Sequence, residues 1–197
     1  MTDREKADTA RPARSSARRA EILDCAERMA RRGGYNGFSF REIAAEIGIK
    51  SASVHYHFPT KAELSRALAA RYADRFIESL GPPAEPGAVL RLIAGYRAAL
   101  READQMCLCG IFGAEIDSLP EPLADTVRDF FERSVAWASA CLGETEGRTG
   151  GETLISGLEG ALIAARALGD AEVFDRVATR LLDAAKGGAW SAPDPKA

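Results

Sequence analysis

The sequence has few cysteines, few histidines and no long uncharged apolar run. Its four cysteines lack the spacing of a disulfide framework, which excludes a disulfide-stabilised scaffold and favours a reducing compartment. The first twenty residues hold six Arg or Lys and no apolar stretch, so the sequence predicts no signal peptide, and no later run is long enough to span a bilayer. We therefore expect a cytoplasmic protein without a membrane anchor.

The common signatures of catalysis are also missing. The sequence contains no nucleophile elbow, no glycine-rich phosphate loop and no pair of carboxylates at a recognisable spacing. The two histidines, His55 and His57, would point in different directions from a helix, and no further His or suitably spaced Cys completes a metal site. These absences predict no enzyme, no metal and no cofactor, and they leave an all-α enzyme for a small hydrophobic substrate as the weakest alternative.

Charge is divided unevenly along the chain. The 197 residues carry 26 Lys or Arg and 29 Asp or Glu, a net charge of −3, with residues 1–66 at +4 and the remainder at −7. Hydrophobic residues make up 46% and charged residues 28%, which is the balance of an ordinary soluble globular protein. A basic N-terminal unit followed by an acidic one is compatible with a nucleic-acid partner for the first unit.

Apolar residues recur at helical spacing over most of the chain, and no segment has the pattern of a strand. Capping boxes at 39–42 and 60–63 predict the starts of the second and fourth helices. Gly34 and Gly48 end the first two helices, and Pro59 ends a short third one. The pattern predicts an all-α protein of about nine helices.

The segment 81–87 holds three prolines and two glycines and is the clearest break in the chain. A further loop is predicted over 143–151, before an eighth helix that begins near Glu152. The predicted organisation is a flexible tail over 1–14, a helix-turn-helix domain with a connecting helix over 15–80, a helical-bundle domain over 81–190 and a frayed C-terminus over 191–197.

Two helices joined by a very short turn, the second with hydroxyl and aromatic side chains, are typical of a helix-turn-helix reader. The second helix can enter a major groove about 12 Å wide and present side chains to base edges. Val54 and Phe58 are the expected anchors of that helix, and Ser51 is also a candidate N-cap. The alternative is an ordinary helical hairpin with a solvated polar face. The candidate DNA contacts are Arg41, Lys50, Ser51, Ser53, His55, Tyr56, His57 and Lys61.

The segments 40–44 and 48–58, followed by Lys61 and Leu64, resemble the DNA-binding region of the TetR family of bacterial repressors. The resemblance covers about residues 15–65, and the rest of the chain matches in architecture alone. It implies a homodimer that places its two DNA-binding domains in successive major grooves of a palindromic operator. It also implies release from DNA when an unidentified small molecule binds the second domain. Family members commonly carry tyrosine where this chain has His55.

The resemblance places a ligand chamber in the second domain. Residues that could face inward there have an apolar or aromatic character with a few polar groups, which suggests an apolar or aromatic effector with a polar handle. Packing in an ordinary core is the alternative for each of them. The candidate ligand-binding residues are Tyr96, Leu100, Cys107, Phe112, Glu115, Phe130, Trp137 and Glu159, with Arg97 as a further polar candidate.

Cys107 and Cys109 lie at the start of the helix that, by the resemblance, lines this chamber. A helix N-terminus lowers the pKa of a thiol and favours the reactive thiolate, so a repressor that senses oxidants or electrophiles is an alternative to reversible ligand binding. The other interpretation is that both cysteines pack as small apolar residues. Cys25 and Cys141 lie on apolar stripes and are expected in the core.

Small residues on the eighth helix, together with apolar residues on the ninth, predict a symmetric four-helix dimer interface. The alternative is close packing of the same residues within one chain. The candidate interface residues are Gly157, Gly160, Ala161, Ala164, Phe174, Val177 and Leu181. The leading functional prediction is a ligand-responsive transcriptional repressor.

Overall fold

A computed structural model describes residues 3–103, 106–143 and 147–187 of the chain. Within these ranges it contains nine α-helices, one short 3-10 turn and no strand, which confirms the predicted all-α class. The helices are α1 (Asp3–Gly33), α2 (Phe40–Glu46), α3 (Ser51–His57), α4 (Lys61–Leu80), α5 (Ala88–Ala103), α6 (Leu108–Ala114), α7 (Glu121–Leu142), α8 (Gly147–Leu168) and α9 (Glu172–Gly187). Below, α1–α3 are called the head and α5–α9 the body; α4 runs from one to the other.

Ser39 and Thr60 are the N-caps of α2 and α4, as the sequence predicted. The Ser39 hydroxyl accepts a hydrogen bond from the backbone N–H of Glu42 at 3.3 Å, and the Thr60 hydroxyl accepts one from Glu63 at 3.1 Å. These contacts satisfy amides that have no partner inside the first turn of a helix. Ser51 does not act as a cap, because Lys50 occupies the N-cap position and Ser51 is the first helical residue.

Two helix starts differ from the sequence prediction. The helix α1 begins at Asp3, inside the predicted flexible tail over 1–14. That segment lacks the apolar stripe on which the prediction relied, but it is rich in Ala, Arg, Lys and Glu, which favour helix formation. The helix α8 begins at Gly147, inside the loop predicted over 143–151. The predicted frayed C-terminus, 191–197, lies outside the described residues.

The early start of α8 depends on a close approach to α7. A Cβ atom on Gly151 would lie 2.2 Å from the Ser139 hydroxyl oxygen and 2.7 Å from the Val135 carbonyl oxygen. Glycine therefore lets the two helices pack more closely than any larger residue would. A glycine cluster that reads as a loop in the sequence is a packing surface in the fold.

The helix α4 connects head and body through an aromatic cluster. The Phe76 ring lies 5.4 Å from that of Tyr96 on α5 and 5.5 Å from that of Phe130 on α7. At the C-terminal end of α4, the Trp137 indole N–H donates a 2.8 Å hydrogen bond to the Gly81 carbonyl. Both contacts join α4 to body helices, so α4 is packed into the body at its C-terminal end. No helix in the described ranges is long and apolar enough to cross a membrane.

Candidate functional site

The helix α3 presents one apolar face inward and one open face to solvent. Val54 and Phe58 are buried and seat the helix on the rest of the head, as predicted from the sequence. On the opposite face the Tyr56 side chain is 77% exposed. His55 lies beside this face, with its ring edge-to-face against Phe40 at 4.6 Å. A short helix with a firmly packed inner face and an exposed aromatic hydroxyl is suited to insertion into a groove.

The predicted DNA contacts divide into two groups by exposure. Arg41, Lys50, His55 and Tyr56 are exposed, whereas Ser51, Ser53, His57 and Lys61 are half-buried. The pKa of His57 is lowered, first by burial and then by the positive charges of Arg19 and Arg18. No cluster of three or more His, Cys, Asp or Glu side chains that could hold a metal ion occurs in the part of the chain that the structure describes.

Lys61 reaches the turn between α1 and α2. Its Nζ atom lies 4.7 Å from the centre of the Tyr35 ring and 4.8 Å from that of Phe38, a cation–π arrangement. Burial lowers the pKa of Lys61, and the nearby carboxylates of Glu42 and Glu115 act in the opposite direction. The two rings hold the ammonium group at the surface of the head and limit its freedom of movement.

Sequence reasoning missed Arg19 as a member of this surface. Its guanidinium lies 4.7 Å above the ring of Phe58, the residue that follows α3. The residue lies on the polar face of α1, and nothing in the sequence distinguishes it from the other arginines on that face. Its proximity to α3 is a tertiary contact that the helical pattern alone does not reveal.

The body contains a cleft of about 450 Å³ between α6, α7 and α8, called the effector cleft below. It is lined by Gly110, Gly113, Ile116, Val127, Arg128, Phe131, Glu132, Val135, Arg148, Glu159 and Ile163. Of the predicted ligand-binding residues, Glu159 lies in its wall. Gly110, Gly113 and Phe131 had no sequence signal for this role, because neighbouring helices bring them together.

The other predicted ligand residues have structural contacts elsewhere. Tyr96, Phe112 and Phe130 are fully buried, Leu100 is half-buried, and Trp137 binds the end of α4. Arg97 on α5 pairs with Asp175 on α9, with 2.6 Å between its Nε and the Asp175 Oδ1. For the four aromatic residues, placement in the core is the alternative that the sequence left open.

Glu159 is a buried carboxylate with one free oxygen. The Tyr96 hydroxyl donates a 3.2 Å hydrogen bond to Oε1, and Oε2 has no hydrogen-bond partner among the residues that the structure describes. Burial raises the pKa of Glu159 to about 7, against the lowering effect of the neighbouring Cys107 thiol and the Tyr96 hydroxyl. At neutral pH this group therefore exists in both the protonated and the ionised form.

Cys107 is the N-cap of α6, where its sulfur accepts a 3.3 Å hydrogen bond from the Gly110 N–H. Burial, followed by the charge of Glu159, raises the pKa of Cys107 well above its usual range, and the same two causes raise the pKa of Cys109. This direction is opposite to the one expected from the helix N-terminus, because burial disfavours the charged thiolate.

We expect the buried thiols to react slowly in the folded protein. The pKa of the half-buried Cys141 is raised to about 11 from 9.0, so its thiolate fraction, and with it the labelling rate by a dithiobis-nitrobenzoate reagent at pH 7, falls about a hundredfold below that of an unperturbed thiol. Cys107 and Cys109 are expected to react more slowly still. Mass spectrometry of peptides after timed labelling measures each rate, with guanidinium-unfolded protein as the control. Faster labelling of Cys107 than of Cys141 would favour the thiol-sensing alternative.

Both ends of α6 are attached to the head. The Arg31 Nε–H donates to the Met106 carbonyl at 2.7 Å, and the Met106 N–H donates to the Arg31 carbonyl at 3.2 Å. Past the other end of α6, the Glu115 carboxylate accepts a 2.7 Å hydrogen bond from the Tyr35 N–H. Glu115, predicted as a ligand residue, thus binds the turn that follows α1. The helix that forms one wall of the effector cleft also holds the end of α1.

The predicted dimer residues on α8 and α9 also divide into two groups. Phe174 and Ala161 are buried, and a Cβ on Gly157 would lie 2.9 Å from Leu181, so these residues pack within the chain. Gly160 is exposed, and Ala164, Val177 and Leu181 are half-buried. The helix α8 also carries two exposed large apolar side chains: Leu168 is 70% exposed, and Ile163, in the wall of the cleft, is 51% exposed.

Comparison with known proteins connects this geometry to a family. The family model described as "Bacterial regulatory proteins, tetR family" matches residues 22–68, from α1 into α4. A TetR transcriptional regulator from Legionella pneumophila is 30% identical, with 83% of this chain and 94% of that chain covered and a TM-score of 0.75. The chain belongs to the TetR family.

Two further comparisons involve this TetR-family protein. A TetR-family transcriptional regulator from Agrobacterium tumefaciens is 28% identical over 90% of this chain and 100% of that chain, with a TM-score of 0.79. The HTH-type nicotine-responsive transcriptional repressor HdnoR of Paenarthrobacter nicotinovorans is 35% identical over 77 residues. That match spans 39% of this chain and 40% of the repressor. The family segment, 22–68, includes all eight predicted DNA contacts.

Proposed function

We propose that this TetR-family protein is a homodimeric transcriptional repressor that binds a palindromic operator and leaves it when a small molecule occupies the effector cleft. The observation that carries the proposal is the exposed face of α3, on which Tyr56 is displayed while Val54 fixes the helix from behind. An exposed aromatic side chain on a rigid, short helix has a direct use in contacts with base edges or phosphates.

The polar side chains around α3 supply two kinds of DNA contact. Tyr56 and Ser53 are assigned to the groove, where hydroxyl groups donate to or accept from base edges. Arg41, Lys50 and Lys61 surround the helix and are assigned to phosphates. Two heads would then contribute about six phosphate contacts, which predicts that DNA affinity falls about a thousandfold between roughly 50 and 200 mM salt.

The attachment of α6 supports a mechanism for release. A ligand in the effector cleft contacts α6 at Gly110 and Gly113, and α6 is joined to the head through Met106 and Glu115. If the ligand binds a conformation with displaced α6 more tightly, it shifts the population towards displaced heads. The two half-sites of an operator are one helical turn, about 34–36 Å, apart. Heads with a different spacing cannot bind both half-sites at once.

The outer face of α8 supports the homodimer. Leu168 is an exposed large apolar side chain outside the cleft, and the exposed Gly160 on the same helix allows another helix to approach closely. Two copies of α8, with α9 beside each, would form the four-helix interface of a symmetric dimer. In this arrangement Phe174 supports α9 from inside its own chain.

Fluorescence anisotropy with labelled DNA tests the proposal. DNA from upstream of the protein's own gene and a scrambled duplex of equal length are titrated with protein at several salt concentrations. Tight, sequence-dependent binding with a steep salt dependence is the expected result. Weak and equal binding to both duplexes excludes that promoter, and the same result across genomic fragments contradicts the repressor function.

A further inference from the structure

We propose that the effector cleft takes a small organic cation, an amine in its protonated form attached to an apolar or aromatic group, and that Glu159 is its counter-ion. This inference rests on the proposed function, because it names the chemical class of the effector. It adds to the proposed function the charge of the effector and the residue that recognises this charge.

The first argument is the unsatisfied oxygen of Glu159. The side chain is 8% exposed, and its Oε2 has no hydrogen-bond partner in the described structure. A buried polar atom without a partner costs free energy, and the cost is higher for an ionised carboxylate. Tyr96 satisfies the other oxygen, so the arrangement lacks one donor on the Oε2 side.

The second argument is the position of that oxygen in the wall of the cleft. A Cβ atom on Gly110 would lie 2.5 Å from Glu159 Oε2, and Gly110 itself lines the cleft. Because Gly110 has no side chain, the Glu159 carboxylate has space to lie next to the cleft. An ammonium N–H of a bound molecule can then donate to Oε2 and form a charge-assisted hydrogen bond.

The third argument concerns the remaining charges of the cleft. Its two arginines already have acidic partners on their own helices: Arg128 Nη1 lies 2.5 Å from Asp125 Oδ1, and Arg148 Nε lies 2.7 Å from Glu152 Oε1. These pairs leave Glu159 as a carboxylate without a cationic partner in the described structure. An anionic effector would meet that carboxylate at close range, whereas a cation neutralises it.

The walls fit the apolar part of such a molecule. Val127, Val135 and Ile163 supply aliphatic surface, and the Phe131 ring can face either an aromatic group or the cation itself. A volume of about 450 Å³ lies within the range of small-molecule sites, roughly 300–1,000 Å³. Of the four charged side chains that line the cleft, Arg128, Glu132 and Arg148 are exposed and Glu159 alone is buried, so Glu159 is the counter-ion next to the apolar walls.

Protonation of Glu159 makes the binding depend on pH. The titratable and charged groups around it are Tyr96 from α5, Cys107 and Cys109 from the start of α6, Arg128 and Glu132 from α7, and Arg148 from α8. Burial raises the pKa of the phenol and of both thiols, so these three groups stay protonated at neutral pH. With a pKa of about 7, the ionised fraction of Glu159 rises from roughly one tenth at pH 6 to roughly nine tenths at pH 8. Cation affinity therefore rises about tenfold over that interval.

Titration calorimetry with matched probes tests the inference. The cations are 2-phenylethylammonium and 4-phenylbutylammonium, the neutral analogues are propylbenzene and pentylbenzene, and the anions are 3-phenylpropanoate and 5-phenylpentanoate. At pH 8 we expect each cation to bind at least about tenfold more tightly than its neutral analogue, and each anion more weakly than either. The cations keep their charge between pH 6 and 8, because alkylammonium groups titrate near 10, as lysine does.

Two substitutions isolate the counter-ion. Glu159→Gln keeps the shape of the side chain and removes its charge, so cation affinity at pH 8 falls at least about tenfold and its pH dependence disappears, while neutral probes bind as before. Glu78→Gln removes an exposed carboxylate on α4 that does not line the cleft, and it is expected to change cation affinity less than about threefold. Thermal unfolding of both variants verifies that they are folded.

Several results overturn the inference: equal affinity for cations and neutral analogues, preference for the anions, no binding by either cation, or unchanged cation affinity in Glu159→Gln. Operator anisotropy separates its failure from that of the proposed function. Cations that bind through Glu159 without releasing DNA uphold the cation site and contradict its role as effector site. DNA release by a neutral or anionic compound alone upholds the ligand-responsive repressor and overturns the cationic effector.

Discussion

Replacing Glu159 by glutamine is expected to raise the free energy of unfolding by on the order of 3 kcal/mol at pH 8 and by less than about 1 kcal/mol at pH 5. The pKa of this carboxyl is about 7 in the folded protein and 4.5 in the unfolded chain. Below both pKa values the carboxyl is neutral in the folded and the unfolded state, so ionisation of Glu159 does not affect stability there. Between them, the unfolded chain ionises first, and the folded state loses stability as pH rises.

The direction follows from burial. A carboxyl whose folded pKa is raised contributes a stability that is complete below the unfolded pKa and is lost as pH rises through the folded pKa. Glutamine does not ionise, so the difference between variant and parent grows between about pH 4.5 and 7 and then levels off. Urea unfolding at a series of pH values measures the difference, with Glu132→Gln as a matched exposed control that stays within about 0.5 kcal/mol. A difference that does not change with pH would contradict this account of Glu159.

Replacing Tyr56 by alanine is expected to weaken operator binding about thirtyfold or more and to leave the free energy of unfolding within about 0.5 kcal/mol. The side chain is mostly exposed, so its removal leaves no cavity. Each head loses a contact of about 1–3 kcal/mol, and a dimer carries the substitution twice. Anisotropy at one fixed salt concentration measures the loss.

Two further variants define what Tyr56 contributes. Tyr56→Phe keeps the ring and removes the hydroxyl, so it separates stacking and apolar contact from hydrogen bonding to DNA. Leu90→Ala removes an exposed apolar side chain on α5 in the body and serves as the control that leaves operator affinity unchanged. Normal operator affinity in Tyr56→Ala would exclude the exposed face of α3 as the reading surface.

Local sequence signals predicted the head well. Ser39 and Thr60 cap their helices as expected because a capping box involves residues three positions apart. The inward side of α3 was also predictable, since Val54 and Phe58 lie one helical turn apart and are both apolar. The helix-turn-helix pattern is compact in sequence, so its residues are neighbours in the fold.

The body was less predictable because its contacts join distant segments. Glu115 binds the Tyr35 amide, 80 positions away, and nothing near Glu115 in the sequence indicates that partner. The pKa of Cys107 depends on burial and on Glu159, whereas the sequence showed only the nearby helix N-terminus. Gly110 and Gly113 line the cleft because three helices meet there, an arrangement that periodicity does not specify.

The contact between Gly110 and Glu159 restricts how this cleft can acquire new specificity. A Cβ atom at position 110 would lie 2.5 Å from Glu159 Oε2, so a larger residue there requires the carboxylate to move or to be exchanged for a smaller group. Phe131 and Ile163 have no such constraint from that carboxylate and can vary to change the size of the accepted molecule. Redesign of the protein as a biosensor would therefore adjust effector size at Phe131 and Ile163 and effector charge at position 159, with a larger residue at position 110 paired to a smaller one at 159.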